Sequence, residues 1–209
     1  MPSSTRRPAA SPERRAAIEA GAISATERLL AEGVTFTELG MQRIAFEAGV
    51  ARSTLYLHFR DKNAILIRLA GVLRSGAFDI VSGWSPEDPS GLDGLTETLL
   101  RVIRFYRRRA HIFAAITEVS GYDRDVREYW DAELDRFIER SQAWMLGEQR
   151  AGRAPADLDP SIASQVIVYG GMRAIARHVT SGDPHRDLAV ARELAVNQWF
   201  GALRRPPVD

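Results

Sequence analysis

The chain has 209 residues, of which 45% are hydrophobic and 26% are charged, a composition typical of a soluble globular protein. It contains no cysteine, which excludes a disulfide scaffold, a zinc–cysteine site, an iron–sulfur cluster and a cysteine nucleophile. The net charge of +1 does not indicate a particular kind of partner. No apolar run approaches the ~18 residues that span a bilayer. The N-terminus lacks the apolar segment of a secretion signal. We therefore expect a soluble, cytoplasmic protein with no membrane partner.

The signals for helix starts and stops predict an all-α fold. Ser11-Pro12-Glu13 combines a capping serine, a proline at the first helical position and an acid near the positive end of the helix dipole. Asp159-Pro160 and Asp183-Pro184 repeat this start signal, and no stretch shows the sustained alternation of a strand. Residues 1–10 are small, polar and basic, which predicts a disordered tail. The nine predicted helices span about residues 11–32, 41–48, 52–58, 62–81, 92–108, 110–120, 123–151, 160–181 and 185–203.

The stretch from residue 40 to residue 62 predicts a helix-turn-helix unit. Its first helix has an apolar side formed by Ile44, Ala45 and Ala48. Gly49 follows where the chain must turn sharply, because glycine takes a left-handed conformation without steric cost. In the second helix, Leu55 and Phe59 lie four residues apart, so both can face a core.

The polar face of that second helix predicts contact with double-stranded DNA. The first turn of such a helix meets the major groove, where Arg52, Ser53 and Thr54 are the candidates for base or phosphate contacts. Tyr56 and His58 lie further along and suit phosphate contacts, which set position rather than sequence. The alternatives are that Tyr56 packs against the first helix of the chain and that His58 caps a surface helix.

Polar residues on the flanking helices extend this candidate surface. Gln42 and Arg43 begin the preceding helix and fit either DNA contact or a plain solvated surface. Asp61 is predicted to cap the following helix, which places Lys62 in its first turn. Exposed amides and an ammonium group together attract a phosphate, so Lys62 is a further candidate contact.

Over residues 14–70 the chain resembles the TetR family of transcriptional regulators. The resemblance rests on Ile44-Ala45-x-x-Ala48-Gly49-Val50, then Thr54-Leu55-Tyr56-x-His58-Phe59, and finally Asp61-Lys62. Two positions depart from the family pattern, because Gly40 and Ala51 stand where a serine or threonine usually caps a helix. The missing cap at Ala51 costs roughly 1 kcal/mol, so we expect a recognition helix that is less rigid in the free protein.

The C-terminal part of the sequence carries an aromatic pattern rather than an enzyme motif. It has no nucleophile elbow, no phosphate-binding glycine loop and no metal-spaced histidine pair, and we predict no catalytic residue, metal or cofactor. Trp130, Phe137 and Trp144 are seven residues apart on one stripe of the predicted helix 123–151. Such a stripe fits either a packed core or the wall of a tunnel for a small apolar ligand.

This part also looks like the ethionamide-resistance-type repressors within the TetR family, which bind hydrophobic ligands in a long pocket. The likeness rests on Tyr129-Trp130, on residues 148–152 and on Asn197-Gln198-Trp199. In that group, paired asparagines on the eighth helix bind the ligand; Val168 and Gly171 occupy the matching positions here, so we expect a more lipophilic ligand. The predicted pocket residues are Phe105, Phe113, Trp130, Leu134, Phe137, Trp144, Val168, Tyr169, Met172 and Trp199.

The family resemblance further implies a homodimer formed through the eighth and ninth helices. The predicted interface residues are Gly170, Ile175, Val179, Leu194 and Leu203. The implied architecture is a three-helix DNA-binding domain over residues 11–60 and a six-helix ligand-binding and dimerisation bundle over 61–209, joined by the helix at 62–81.

The expected function is that of a repressor that binds a palindromic operator as a dimer and is released by a small hydrophobic effector. Two alternatives stay open at this point. One is an activator or ligand-independent regulator that acts through a protein partner, and the other is an enzyme that uses the aromatic tunnel.

Overall fold

A computed structural model describes residues 11–206 of the chain, and this range is helical throughout, with connecting turns and no strand. The prediction of an all-α fold is confirmed. Within the described range, no helix combines the length and apolarity needed to cross a membrane. The tail predicted over residues 1–10 lies outside the described residues. The helices are α1 (Pro12–Ala31), α2 (Met41–Glu47), α3 (Arg52–Tyr56), α4 (Lys62–Ser82), α5 (Gly91–Arg107), α6 (Ala110–Ser120), α7 (Arg124–Arg150), α8 (Pro160–Ser181) and α9 (Asp187–Gln198).

Two predicted helices differ from the observed ones. The helix predicted over 52–58 ends as α3 at Tyr56, because the amides of Leu57 and His58 bond three residues back, to Thr54 and Leu55. The helix predicted over 185–203 divides into a 3-10 turn (Pro184–Arg186), α9 and a π-helical turn (Trp199–Leu203). The amide of Arg204 bonds to the carbonyl of Trp199 and closes the π-helical turn.

The predicted start signals act as caps. The Ser11 hydroxyl accepts a hydrogen bond from the Arg14 amide at 3.3 Å. The Asp159 carboxylate accepts from the amide of Ser161 at 2.9 Å, and Asp183 accepts from the amide of His185 at 2.9 Å. Each cap satisfies an amide that the first turn of a helix leaves without an internal partner.

The chain divides within α4 into two compact units, one ending at Leu69 and the other beginning at Ala70. In the first unit, α2 and α3 meet at Gly49, whose φ of +68° is a conformation that glycine adopts without strain. The buried core of this unit is formed by Ala22, Met41, Ile44, Ala45, Leu55, Phe59 and Ile65.

In the second unit, α5 packs against α9 and α7 packs against α8. Two buried carboxylates join elements that are distant in the chain. Asp187 accepts hydrogen bonds from Arg107 of α5 and lies 2.8 Å from the Nε2 atom of His178 in α8. Glu148, whose side chain is 1% exposed, accepts from both Arg153 and Arg204, and so connects the end of α7 to the C-terminal turn.

Candidate DNA-binding surface and effector cavity

Helix α3 of the first unit presents a short polar face. Arg52 and Ser53 are exposed and Thr54 is half-buried, whereas Leu55 is fully buried in the core. The helix has five residues, and the side chain of Ala51 makes no capping hydrogen bond, as the sequence predicts. A helix of this length is not stable alone, so the contact of Leu55 with the core holds the polar face in place.

Arg52 and Tyr56 form a pair on the surface of α3. The Arg52 Nη2 atom lies 3.5 Å from the Tyr56 hydroxyl oxygen, and the guanidinium carbon lies 5.4 Å from the centre of the tyrosine ring. Tyr56 is 43% exposed. A cation and a phenol hydroxyl on the same exposed face are groups that bind phosphate oxygens and guanine edges.

The start of α2 adds Gln42 and Arg43, which are both exposed. Two further exposed side chains of this unit, Phe46 and Leu57, are each 81% exposed and were missed by the sequence analysis. A hydrophobic residue is normally assigned to a core face, so its type alone gave no signal of exposure.

His58 does not lie on the same surface as Arg52. Its side chain is 7% exposed, and its Nδ1 atom lies 3.3 Å from the Glu19 Oε1 atom in α1. The pKa of Glu19 is lowered mainly by a hydrogen bond from Arg15, and the hydrogen bond with His58 lowers it further. The ring therefore faces α1, which supports a positioning role more than a phosphate contact.

The Lys62 ammonium group is also bound within the protein. Its Nζ atom donates to the carbonyl oxygens of Phe36 at 2.8 Å and Thr37 at 3.0 Å. It also lies 4.9 Å from the centre of the Phe36 ring. Asp61 caps α4 as predicted, accepting from the amide of Ala64 at 2.9 Å. These contacts fix the turn between α1 and α2 to the start of α4.

The second unit contains a partly open apolar cavity of about 80 Å³. Five of the predicted pocket residues line it, namely Leu134, Phe137, Trp144, Val168 and Met172. The sequence analysis missed the wall contributed by α5, which consists of Leu95, Thr98, Leu99, Val102 and Tyr106. These positions recur every three to four residues, a pattern that identifies the buried face of a helix but not a void beside it.

The other predicted pocket residues lie elsewhere in the second unit. Phe113 and Trp130 pack edge to face at 5.4 Å, and Phe105 stacks under the guanidinium group of Arg109. Tyr169 is 47% exposed, and Trp199 contacts Trp84. None of these five predicted residues lines the cavity described above.

The cavity also has a few polar groups. Ser141 and Thr98 lie in its wall, and Gln198 reaches it from the end of α9. Val168 and Gly171 both line the cavity, so the positions matched to the asparagine pair carry no amide. The Gln198 Nε2 atom lies 3.9 Å from the point where a Cβ atom on Gly171 would stand, which places an amide from a different helix near that wall.

A groove on the outside of the second unit runs along α8 and α9, with a volume of about 660 Å³. Of the predicted interface residues, Gly170 and Leu194 line this groove. Ile175, Val179 and Leu203 are instead buried inside the bundle, at 4%, 4% and 3% exposure. The exposed apolar residues of α8 are Ile162, Val166 and Tyr169, at 61%, 67% and 47% exposure.

Two family models match separate parts of the chain. Residues 22–69 match the family of bacterial regulatory proteins called the tetR family. Residues 95–203, more than half of the chain, match the C-terminal domain of the transcriptional regulator EthR. The chain is also similar to the HTH-type transcriptional regulator EthR of Mycolicibacterium smegmatis. That protein is 27% identical over 201 residues, which cover 87% of this chain and 86% of the relative.

Solved structures share the fold. Salmonella enterica GusR superposes with a TM-score of 0.73 at 18% identity, covering 90% of this chain and 96% of GusR. FadR from Bacillus subtilis, solved in complex with stearoyl-CoA, gives a TM-score of 0.68 at 18% identity, covering 86% of this chain and 96% of FadR. At this level of identity the likeness concerns the arrangement of helices.

Proposed function

Because the chain belongs to the TetR family of transcriptional regulators, with a C-terminal domain of the EthR type, we propose that it is a ligand-responsive repressor. In this proposal it binds a palindromic operator as a dimer, and a small hydrophobic effector releases it from DNA. The observation that carries the proposal is the polar face of α3, where Arg52 and Tyr56 form an exposed pair above the buried Leu55.

In the proposed complex, α3 lies in the major groove. Arg52, Ser53 and Thr54 contact base edges, and Tyr56 contacts a phosphate. Gln42 and Arg43 are exposed at the start of α2 and add contacts to the flanking backbone. We assign His58 and Lys62 the role of positioning α3 and α4, because their polar atoms already bind Glu19 and the carbonyls of Phe36 and Thr37.

The proposed dimer forms through the groove along α8 and α9. Ile162, Val166 and Tyr169 are spaced four and three residues apart, so they share one face of α8. An exposed apolar face of this kind is usual for a surface that is covered by a partner. A two-fold axis through such a face presents two α3 helices to the two halves of a palindrome.

The small size of the cavity supports a mechanism for release. Ligand pockets usually measure roughly 300–1,000 Å³, whereas this cavity measures about 80 Å³. An effector larger than the cavity fits only when the surrounding helices move apart. Such a ligand binds an expanded state more tightly and shifts the population toward it. We propose that α4, which supplies Val81 to the cavity wall, carries this change to the first unit.

Selection of bound fragments from the source genome tests the DNA-binding part of this proposal. We expect purified protein to enrich a palindromic site, and Arg52→Ala and Thr54→Ala to lose the enrichment. Arg124→Ala is the matched control, because Arg124 is 79% exposed on α7, in the second unit. Equal enrichment by the wild type and the two α3 variants would contradict the assignment of α3 as the recognition helix.

A further inference from the structure

Arg74 of α4 is an arginine in the interior of the second unit, and its side chain is fully buried. Its Nη1 atom donates to the Tyr106 hydroxyl oxygen at 3.4 Å and lies 3.3 Å from the Met172 sulfur. The guanidinium carbon stands 3.4 Å from the centre of the Trp130 ring. The Nε and Nη2 atoms are buried and have no hydrogen-bond partner among residues 11–206.

Within the part of the chain that the structure describes, the groups that contact this guanidinium, from Tyr106, Met172 and Trp130, are neutral. Asp131 and Glu133 affect Arg74 only by electrostatic interaction at longer range. The Oε2 atom of Glu133 lies 3.8 Å from the Nη1 atom of Arg136. Burial is the main cause that lowers the pKa of Arg74, yet an arginine side chain stays protonated in proteins. A buried charge without a counter-charge is strongly unfavourable. An anion that contacts it offsets the free energy that is lost when the charged group is removed from water.

Arg74 lies directly behind the wall of the apolar cavity. Tyr106 and Met172 line the cavity, and both contact the Nη1 atom of Arg74. Methionine is unbranched and adapts its rotamers readily, so Met172 can swing aside at low cost. Its displacement opens a path from the cavity to the guanidinium group.

We propose that the effector is an amphipathic carboxylic acid, whose carboxylate pairs with Arg74 and whose apolar body occupies the cavity. The inference rests on the proposed function, since it names the chemical class of the effector. The planar fork of donors on a guanidinium matches the two oxygens of a carboxylate. Displacement of Met172 frees Nη1, and the neighbouring Nη2 lacks a partner among residues 11–206, so the carboxylate pairs with the Nη1–Nη2 edge. Where the repressors that this chain resembles carry asparagines on the eighth helix, this chain has Val168 and Gly171, and in this proposal Arg74 of α4 supplies the polar anchor instead.

Matched ligands test the head group directly. The probes are straight-chain carboxylates of four to ten carbons, with the primary amide and alcohol of each chain, titrated by calorimetry against the full-length protein. We expect the acids to bind roughly tenfold or more tightly than their amides, because hydrogen bonds to charged groups are the stronger ones. In Arg74→Met we expect the preference for acids to disappear while the amides still bind.

Arg136→Met is the matched control, because Arg136 also stacks on an aromatic ring, that of Phe78 at 4.3 Å, but its side chain is 46% exposed. This variant should keep the preference for acids. Equal affinity for acids and amides in the wild type, or an unchanged preference in Arg74→Met, would overturn the proposal.

A second measurement keeps the proposal testable if Arg74→Met does not fold. The pKa of a carboxyl-labelled acid bound to the wild type is followed by carbon NMR. Contact with the guanidinium group should lower that pKa below its value in water, and an unchanged or raised pKa would contradict the pairing. Arg74→Lys keeps a positive charge but lacks the fork, and we expect it to bind acids with intermediate affinity.

Measurement of the release from DNA distinguishes a failure of this inference from a failure of the proposed function. Acids that bind through Arg74 and release the protein from the selected operator support both the inference and the proposed function. Acids that bind through Arg74 and leave operator binding unchanged support the site but contradict its role as the effector site. Enrichment of an operator together with no binding of any acid would support the DNA-binding regulator and overturn the carboxylate effector.

Discussion

At the scale of single residues, long-range contacts distinguish side chains that the local sequence leaves equivalent. The sequence offered His58 as a phosphate contact or a surface cap, and the structure pairs it with Glu19, 39 residues earlier. Lys62 similarly binds the carbonyls of Phe36 and Thr37. A pattern within one helix identifies polar residues, but it does not reveal which of them meets a partner from another helix.

The cluster around Asp187 yields a prediction about pH. Burial acts to raise the pKa of Asp187, but hydrogen bonds and charges from Arg107 and His178 outweigh it and hold the pKa below its ordinary value of 3.8. A carboxylate with a lowered folded-state pKa adds stability at neutral pH, and this contribution is lost as pH falls through the folded-state pKa. We expect Asp187→Asn to lower the free energy of unfolding by about 2–3 kcal/mol at pH 7.

Urea unfolding at a series of pH values checks this expectation. The difference between wild type and Asp187→Asn should narrow from about pH 5 downward, because the wild type begins to lose the charged interaction there. Asp135→Asn, which changes an exposed aspartate of α7, should behave as the wild type at each pH. A difference that stays constant from pH 7 down to about pH 2 would argue against a charged Asp187 as the source of the stability.

At the scale of elements, α3 is the helix in which the sequence departs most clearly from its family. The backbone of Ala51 has φ −65° and ψ 142°, which is the extended conformation of a capping residue, but its methyl group accepts no hydrogen bond. A serine at this position can accept from an amide of the first turn without any change of backbone. The missing cap is therefore a property of the side chain alone.

We predict that Ala51→Ser stabilises the protein by about 1 kcal/mol and tightens DNA binding, because less ordering of α3 then accompanies binding. The melting temperature and the affinity for the selected operator are the two measurements. Ala51→Val is the control, since it adds bulk without an acceptor and should give neither gain. A serine variant that matches the valine variant in both measurements would show that capping does not limit α3.

The positions of the helices were predicted well from the sequence, because caps and periodicity are local signals. The residues that form the cavity wall were predicted less well. Trp130, Phe137 and Trp144 are seven residues apart, and an α-helix drifts by about 20° per seven residues. Accordingly, Phe137 and Trp144 line the cavity while Trp130 packs against Phe113 and Arg74. The sequence identified a stripe, but it did not reveal which members of the stripe border the void.

At the scale of the whole molecule, α8 carries apolar residues on more than one face, so its sequence did not distinguish an inner from an outer surface. Ile175 and Val179 were expected at a dimer interface and are buried in the bundle. Ile162 and Val166, which were not among the predicted interface residues, are more than 60% exposed. The packing of α5, α6, α7 and α9 against α8 determines which face remains accessible.

That exposed face carries the last prediction. In a two-fold dimer each interface residue occurs twice, so Val166→Arg introduces two like charges into one apolar contact, at a cost of several kcal/mol. We expect Val166→Arg to be a monomer by light scattering at micromolar concentration and to bind the selected operator weakly, while its melting curve stays cooperative. Val72→Arg is the matched control, because Val72 is 58% exposed on α4, and it should remain a dimer. A monomeric wild type would contradict the proposed dimer, whereas a Val166→Arg variant that stays dimeric would place the interface elsewhere. In the second case the spacing of the two recognition helices would have to be set by another contact.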